Sequence, residues 1–455
     1  MPYRERVPEF QAIIMAGYGN GLYPLTEENN MPKALLPIVN QPMISYQLSW
    51  LESSGVHDVI VVSLKSGSDK LGHYLKKVYE GPLRISIEIV DDNTGTADAL
   101  ASIKDKIKTD FLVISCDLMT DLIPHQFLDM HRSEDPTVTA LFFEPSKGEG
   151  GPSGSSKVKD VTQYIGVDAS NSQLVYLNNA DSMAEDEFSL RISLLNKHPV
   201  MNISRLLQDG HLYVFKRWVV DLISVVSQKR TMASLKEHVL PLLVKSQYQK
   251  VLADREGVTK AVKASMAAHP NTQKLALSLS TTQPIATEEE GNGEDSDEDE
   301  QTGEWKSPVH CKAFVLPKEI YCGRANTIPN YFEVNRYYTK TTDKVRNPGA
   351  SSQVQTQVGA DSLIGDDTKL GERSSVKKST LGSHITIGKN VKIVNSIIMD
   401  HAILEDNVKV EGCIICAGSK ICEKSTLKDC EVGGGFRVEK ETTARNEQLV
   451  DFQEQ

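Results

Sequence analysis

Ile14-Met15-Ala16-Gly17-Tyr18-Gly19-Asn20-Gly21-Leu22-Tyr23-Pro24-Leu25-Thr26, followed by Pro32-Lys33-Ala34-Leu35-Leu36-Pro37, is the stretch on which the reading of this chain turns. An apolar run ends in three glycines at alternate positions. Glycine tolerates unusual φ/ψ values and lets the backbone approach closely, so a loop of this kind presents N–H groups to phosphate. A G-x-G-x-G string alone also fits a tight turn, and Lys33 alone fits a surface lysine after a proline. The glycines followed by Pro24-Leu25-Thr26 and then Pro32-Lys33 point to a nucleotide-handling loop. No Arg or Lys lies between Val7 and Pro32.

Working outward, strand and helix signals alternate. Phe10–Met15, Asp58–Ser63, Arg84–Val90 and Phe111–Cys116 read as buried strands. Gln41–Ser54, Asp69–Tyr79 and Thr96–Ile107 carry helical spacing. Such alternation predicts a parallel sheet covered on both faces, with ligands at the carboxyl ends of its strands, where the glycine loop falls. Asp117 follows the strand Phe111–Cys116 and is the natural carboxylate for Mg²⁺, while Lys33 is the natural phosphate contact. The plainer readings are a turn or helix cap at Asp117 and a turn with N-cap at Gly95-Thr96-Ala97.

Residues 145–158 are rich in Gly, Ser and Pro and are expected to form a surface loop. Strand signals at Leu174–Leu177 and His211–Phe215 close this first domain, residues 1–255. Residues 256–310 drift into Ala, Ser, Thr and Gln and then an acidic run, and read as a disordered linker. Ser296, inside Glu-Asp-Ser-Asp-Glu-Asp-Glu, has the surroundings that acidophilic kinases modify.

The third section, residues 311–455, carries a repeat that is clear from 358 to 438. Apolar residues recur every six or five positions from Val358 to Val438, and from Leu381 they lock into a 17-residue period through Ile398, Ile415 and Val432. An amphipathic helix needs apolar residues every three to four positions. A step of six suits short parallel strands, three per coil, in a β-helix. Cys413 and Cys430 stand one period apart, with Ser396 one coil earlier, so they stack at about the inter-strand spacing of 4.8 Å. A zinc site built on Cys413 and Cys416 lacks a second close pair or a nearby His, and packed thiols are the expectation.

The 455 residues, 39% hydrophobic and 24% charged, fit a soluble globular protein of two or three domains. No apolar run approaches the roughly 18–20 residues that span a bilayer. Met1-Pro-Tyr-Arg-Glu-Arg carries no signal-peptide core, so a cytosolic address is expected. Thr287–Glu304 holds ten acids and no Lys or Arg, which leaves about −1 of the formal net charge of −11 for the rest of the chain. The folded parts therefore carry no bulk basic field for nucleic acid. Seven cysteines outside a secretory context argue for reduced thiols.

The order of phosphate-loop domain, linker and hexapeptide β-helix resembles the nucleotide-sugar pyrophosphorylases, the GDP-mannose enzymes especially. Within that superfamily the chain looks most similar to the gamma subunits of eukaryotic translation initiation factor 2B. The matching segments include Glu9–Ala16, Pro32–Met43, Asp58–Val62, Lys108–Asp121, Tyr164–Asp168, Asp209–Tyr213, Val358–Gly365 and Asn446–Leu449. The resemblance implies an α/β, Rossmann-like nucleotidyltransferase domain followed by a left-handed parallel β-helix of hexapeptide repeats. Two positions depart from the active enzymes: Gly21 stands where they carry an arginine, and Cys116-Asp117 where they carry Gly-Asp. Gly17, Gly19, Gly21, Lys33, Gly95 and Asp117 are therefore expected to be a remnant nucleotide pocket, with no catalytic or metal-binding residue and no cofactor.

The chain ends about 17 residues after Val438, too few for the all-helical exchange domain of epsilon subunits, which favours gamma. The resemblance further implies a subunit that pairs with epsilon, joins alpha, beta and delta, and takes initiation factor 2 as substrate, with no direct contact to nucleic acid or membrane. The alternatives are an active GDP-mannose-type pyrophosphorylase and a nucleotide sensor.

Overall fold

The computed structural model describes residues 8–27, 31–145, 163–179, 190, 192–227, 232–268, 307–341, 357–359 and 361–450. The 146–158 part of the expected surface loop, the acidic run and Ser296 lie outside the described residues.

The first domain is built on seven strands: β1 (Phe10–Ala16), β2 (Asp58–Leu64), β3 (Arg84–Val90), β4 (Asp110–Ser115), β5 (Val138–Phe143), β6 (Gln208–Phe215) and β7 (Cys311–Val315). Their order in the sheet is β7-β5-β6-β4-β1-β2-β3. All seven residues of β1 are buried. Ile13 and Met15 enter the core on one face, Ala12 and Ile14 the core on the other. That two-sided burial is why the strand reads as a continuous apolar run rather than an alternation.

Helices α1 (Met43–Ser54), α2 (Ser68–Lys77) and α4 (Pro124–Glu134) cover one face through Leu48, Leu75 and Phe127. Helices α3 (Thr96–Ser102) and α5 (Trp218–Ser227) cover the other through Leu100 and Leu222. The sheet is mixed rather than purely parallel, because β6 runs antiparallel to both β4 and β5.

Both edges of the expected linker differ from the sequence reading. Residues Val258–Ala268 form a helix whose Val258 and Val262 join the core under α5. Cys311–Val315 is not the start of the β-helix domain but β7, parallel to β5 at the sheet edge. Cys322–Arg324 then pairs antiparallel with Leu118–Thr120, and α6 (Ile328–Thr341) packs at the junction of the two domains. The α/β domain thus reclaims the chain after the acidic segment. Cys311 and Ala313 are apolar and bury only by closing that sheet edge.

The β-helix follows the 17-residue period. Leu381 pairs with Ile398, Ile398 with Ile415 and Ile415 with Val432, all in parallel register. Three flat faces of six, six and five short strands result. Corners at Asn390, Asn407 and Gly412 take positive φ of 56°, 59° and 67°, a region that Asn and Gly enter at least cost.

One interior column is a hydrogen-bond ladder. The N–H of Ser396 donates to Ser379 Oγ at 3.1 Å, that of Cys413 to Ser396 Oγ at 3.2 Å, and that of Cys430 to Cys413 Sγ at 3.4 Å. The stacked thiols of the sequence reading are members of this ladder. Ser396→Ala leaves the buried Cys413 N–H without an acceptor and is expected to destabilise the chain by about 1–3 kcal/mol in urea denaturation. A change of no more than a few tenths would show that the column contributes nothing.

The three faces differ in what they present outward. Two carry Lys392 and Lys409, or Lys369 and Lys420, to solvent. The third presents Leu363, Ile397 and Ile414, which are buried against Leu22, Leu36, Met43 and Tyr331. The β-helix therefore seats an apolar flank on the loop side of the α/β domain.

Candidate functional site

The glycine loop folds as a set of tight turns. Leu22 N–H donates to Gly19 O at 2.7 Å and Leu25 N–H to Leu22 O at 2.7 Å. Leu22 and Leu25 are fully buried in the junction core, so these N–H groups face the loop's own carbonyls. At Gly19, Thr26 Oγ1 closes the turn onto the carbonyl at 2.9 Å. A Cβ there would lie 2.5 Å from the Thr26 methyl. Gly17 has open space beside it.

Gly21 is enclosed by Asn326, 305 positions further along the chain. A Cβ at this position would lie 2.5 Å from the backbone oxygen of Asn326. Gly95 is equally enclosed, 2.2 Å by the same measure from Ala233 O. That carbonyl accepts the Ala97 N–H at 2.9 Å, and Thr96 Oγ1 accepts the Leu235 N–H at 3.0 Å. The N-terminus of α3 is thus capped by the chain itself.

Lys33 lies in a one-turn helix, Lys33–Leu35, anchored by buried Ala34. Its Nζ meets Asp117 Oδ2 at 2.6 Å. Asp117, two residues past the end of β4, has no exposed surface. The Arg324 guanidinium approaches the same carboxylate from Cys322–Arg324, with Nη2 2.8 Å from Oδ2 and Nε 3.2 Å from Oδ1. Burial would raise the Asp117 pKa, but the charges of Arg324 and Lys33 hold it well below the usual carboxylate range. Arg324 is raised in turn: burial opposes its charge, and Asp117 outweighs that effect. Cys116 beside it is an inert thiol, pushed up to about 11 by burial.

The six predicted residues are therefore not one cavity. Gly17, Gly19 and Lys33 line a cleft of about 110 Å³ together with Tyr18, Ser63 and Lys70. Gly21, Gly95 and Asp117 are not among its walls. Arg324 lines a second cleft of about 200 Å³ with Arg205, Gln208, Asp209 and Lys236. Sequence reasoning missed Arg324, the second cation on the Asp117 carboxylate. It lies 207 positions from Asp117, in no motif that spacing could reveal.

Nucleotidyl transfer asks for a carboxylate with free oxygens to hold Mg²⁺. Both Asp117 oxygens already carry cationic donors, so this set does not fit the metal. The transfer also asks for cations around the triphosphate as charge moves to pyrophosphate. Lys33 is engaged with Asp117, and the loop brings no guanidinium.

Fold and site together define a nucleotidyltransferase-like domain joined to a left-handed β-helix. The family model described as nucleotidyl transferase matches residues 11–151, and that described as the EIF2B subunit epsilon LbH domain matches residues 344–444. The chain is 38% identical to the translation initiation factor eIF2B subunit gamma of Schizosaccharomyces pombe over 98% of its own length and 90% of that protein's. The Dictyostelium discoideum subunit of the same name is 34% identical over 82% and 87%. A Candida albicans mannose-1-phosphate guanyltransferase is 32% identical, over only 30% of this chain and 38% of that enzyme. The chain belongs to the family of translation initiation factor eIF2B gamma subunits.

Proposed function

We propose that the chain works in the cytosol as the gamma-type subunit of a guanine-nucleotide exchange factor. In this reading it pairs with epsilon, assembles with alpha, beta and delta, and helps return initiation factor 2 from its GDP form to its GTP form. Its nucleotidyltransferase fold serves assembly rather than chemistry. The observation that carries the non-catalytic part is Asp117, buried and bridged by Lys33 and Arg324. Kinship with gamma and, over 44% of the chain, with an epsilon subunit supports the assembly part.

The purified chain, incubated with mannose 1-phosphate, GTP and Mg²⁺, is expected to release no pyrophosphate. Turnover within the ordinary enzyme range of about 1–10³ s⁻¹ would establish the rival pyrophosphorylase instead. Copurification of the native chain with an epsilon subunit, and its requirement in a GDP-release assay on initiation factor 2, tests the positive half.

A further inference from the structure

One corner of the β-helix, between the strands Thr380–Leu381 and Thr386–Ile387, carries a column of side chains that the exchange reading does not use. Asp367, His384 and His401 follow one another at 17-residue steps, one per coil, with φ of 54°, 57° and 60°. At the coils of the two histidines the other corners hold Asn390 and Asn407, and Asn395 and Gly412. Asn and Gly enter the left-handed region at least cost. Imidazole on two successive coils therefore asks for a reason beyond the turn.

The two rings lie parallel, tilted by 7°, with centroids 5.1 Å apart. Both histidines are exposed, His384 to 52% of its side chain. The next corner residue, Gly418, brings no side chain over His401. His384 Nδ1 lies 3.7 Å from Asp367 Oδ2. A carboxylate on that side favours the Nδ1–H tautomer and leaves Nε2 as the free lone pair. The neighbouring carboxylates are engaged elsewhere. Asp400 Oδ1 accepts the Ser383 N–H at 2.7 Å, and Asp366 has a partner of its own.

Two imidazoles, one of them oriented by a carboxylate, are donors for a late first-row divalent cation; Mg²⁺ and Ca²⁺ take oxygen instead. Two Zn–N bonds of about 2.0–2.1 Å at the tetrahedral angle bring their nitrogens about 3.4 Å apart. From rings one coil apart, a tilt of two exposed side chains closes that gap.

We propose that His384 and His401 chelate a divalent transition-metal ion, zinc foremost, with Asp367 as the carboxylate that orients His384. The site lies apart from the glycine loop and does not depend on the exchange reading. Because its ligands stand on successive coils, the ion clips the coils together and stabilises the β-helix by mass action.

The test titrates the full-length chain, prepared without a metal-binding tag, with Zn²⁺ at neutral pH by calorimetry, and with Mg²⁺ as control. Zn²⁺ is expected to bind saturably and to raise the melting temperature. Binding should fail as pH drops below about 6 and the imidazoles protonate. His384→Asn and His401→Asn keep a residue suited to the left-handed corner, so each should remove binding without unfolding the coil. Asp367→Asn should weaken it about tenfold, and His73→Asn, on α2, should leave it unchanged. Cu²⁺ in place of Zn²⁺ should give an electron paramagnetic resonance spectrum with two equatorial nitrogens. Absence of saturable binding, full affinity in either corner variant, loss on His73→Asn, or a thiolate-ligated spectrum would each overturn the proposal. Equal binding of Mg²⁺ would do so as well.

Discussion

Asp117→Ala is expected to destabilise the chain by about 3–5 kcal/mol, because it leaves two cations with little water and no counter-charge. Lys33 is 9% exposed at its side chain and Arg324 15%, so neither regains full hydration. Adding Arg324→Met to Asp117→Ala should recover a large part of the loss, since the damage lies in the stranded guanidinium rather than in a missing attraction. Asp117→Asn keeps the shape and part of the hydrogen bonding, and should cost less than the alanine.

The same carboxylate predicts a pH signature. Its folded pKa lies well below the unfolded value of about 4. Its stabilising contribution is therefore fully present above the unfolded value and lost as pH falls through the lower folded value. Wild-type unfolding free energy should drop on acidification, and the Asn variant should drop less steeply over that acid range. Urea midpoints measured at several pH values check both statements. A parallel decline for wild type and Asp117→Asn, or a penalty below about 1 kcal/mol for Asp117→Ala, would show that the bridge is not the centre of the site.

Gly21→Arg, which supplies the guanidinium that the glycine loop lacks, is expected to create no pyrophosphorylase and to cost about 3 kcal/mol. The cost arises at the first added atom. A Cβ here meets Asn326 O at 2.5 Å, and that oxygen belongs to backbone held by Ala325 N–H on Asp117 O at 2.9 Å. Gly21→Ala should therefore carry most of the penalty, with the rest of the arginine adding less. Pyrophosphate release by Gly21→Arg together with unchanged stability would mean that Asn326 yields easily and that the loop is one substitution from function. The two predictions bear on one feature from opposite sides. The strand Cys322–Arg324 and the turn after it occupy the loop's approach, while Arg324 neutralises the carboxylate that chemistry would need.

Much of this architecture was legible in the chain. The 17-residue period gave the β-helix register residue by residue, since each coil repeats one local pattern of inward apolar side chains. The absence of Arg and Lys from the glycine loop was equally plain. The site beyond Lys33 and Asp117 was not legible. Gly95 read as part of a ligand pocket, whereas Ala233 O fills the space beside it. Cys311–Val315 read as the beginning of the β-helix domain, because five residues of strand carry no mark of the sheet they will join.

The sequence by itself determined the elements whose cause is local: strands from apolar runs, coils from a fixed period, turns from glycine. Arg84–Val90, read as a buried strand, is instead the exposed edge strand β3, with Ile89 60% exposed, because no further strand among the described residues covers it. Only the tertiary structure decided what is set by distant pairing. Arg324 reaches Asp117 because Cys322–Arg324 pairs with Leu118–Thr120. The β-helix flank bearing Leu363, Ile397 and Ile414 is covered because α6 and the glycine loop present matching apolar surface. Charge neutralisation and face burial depend on which segments meet in space, and no local spacing encodes a meeting across 207 residues.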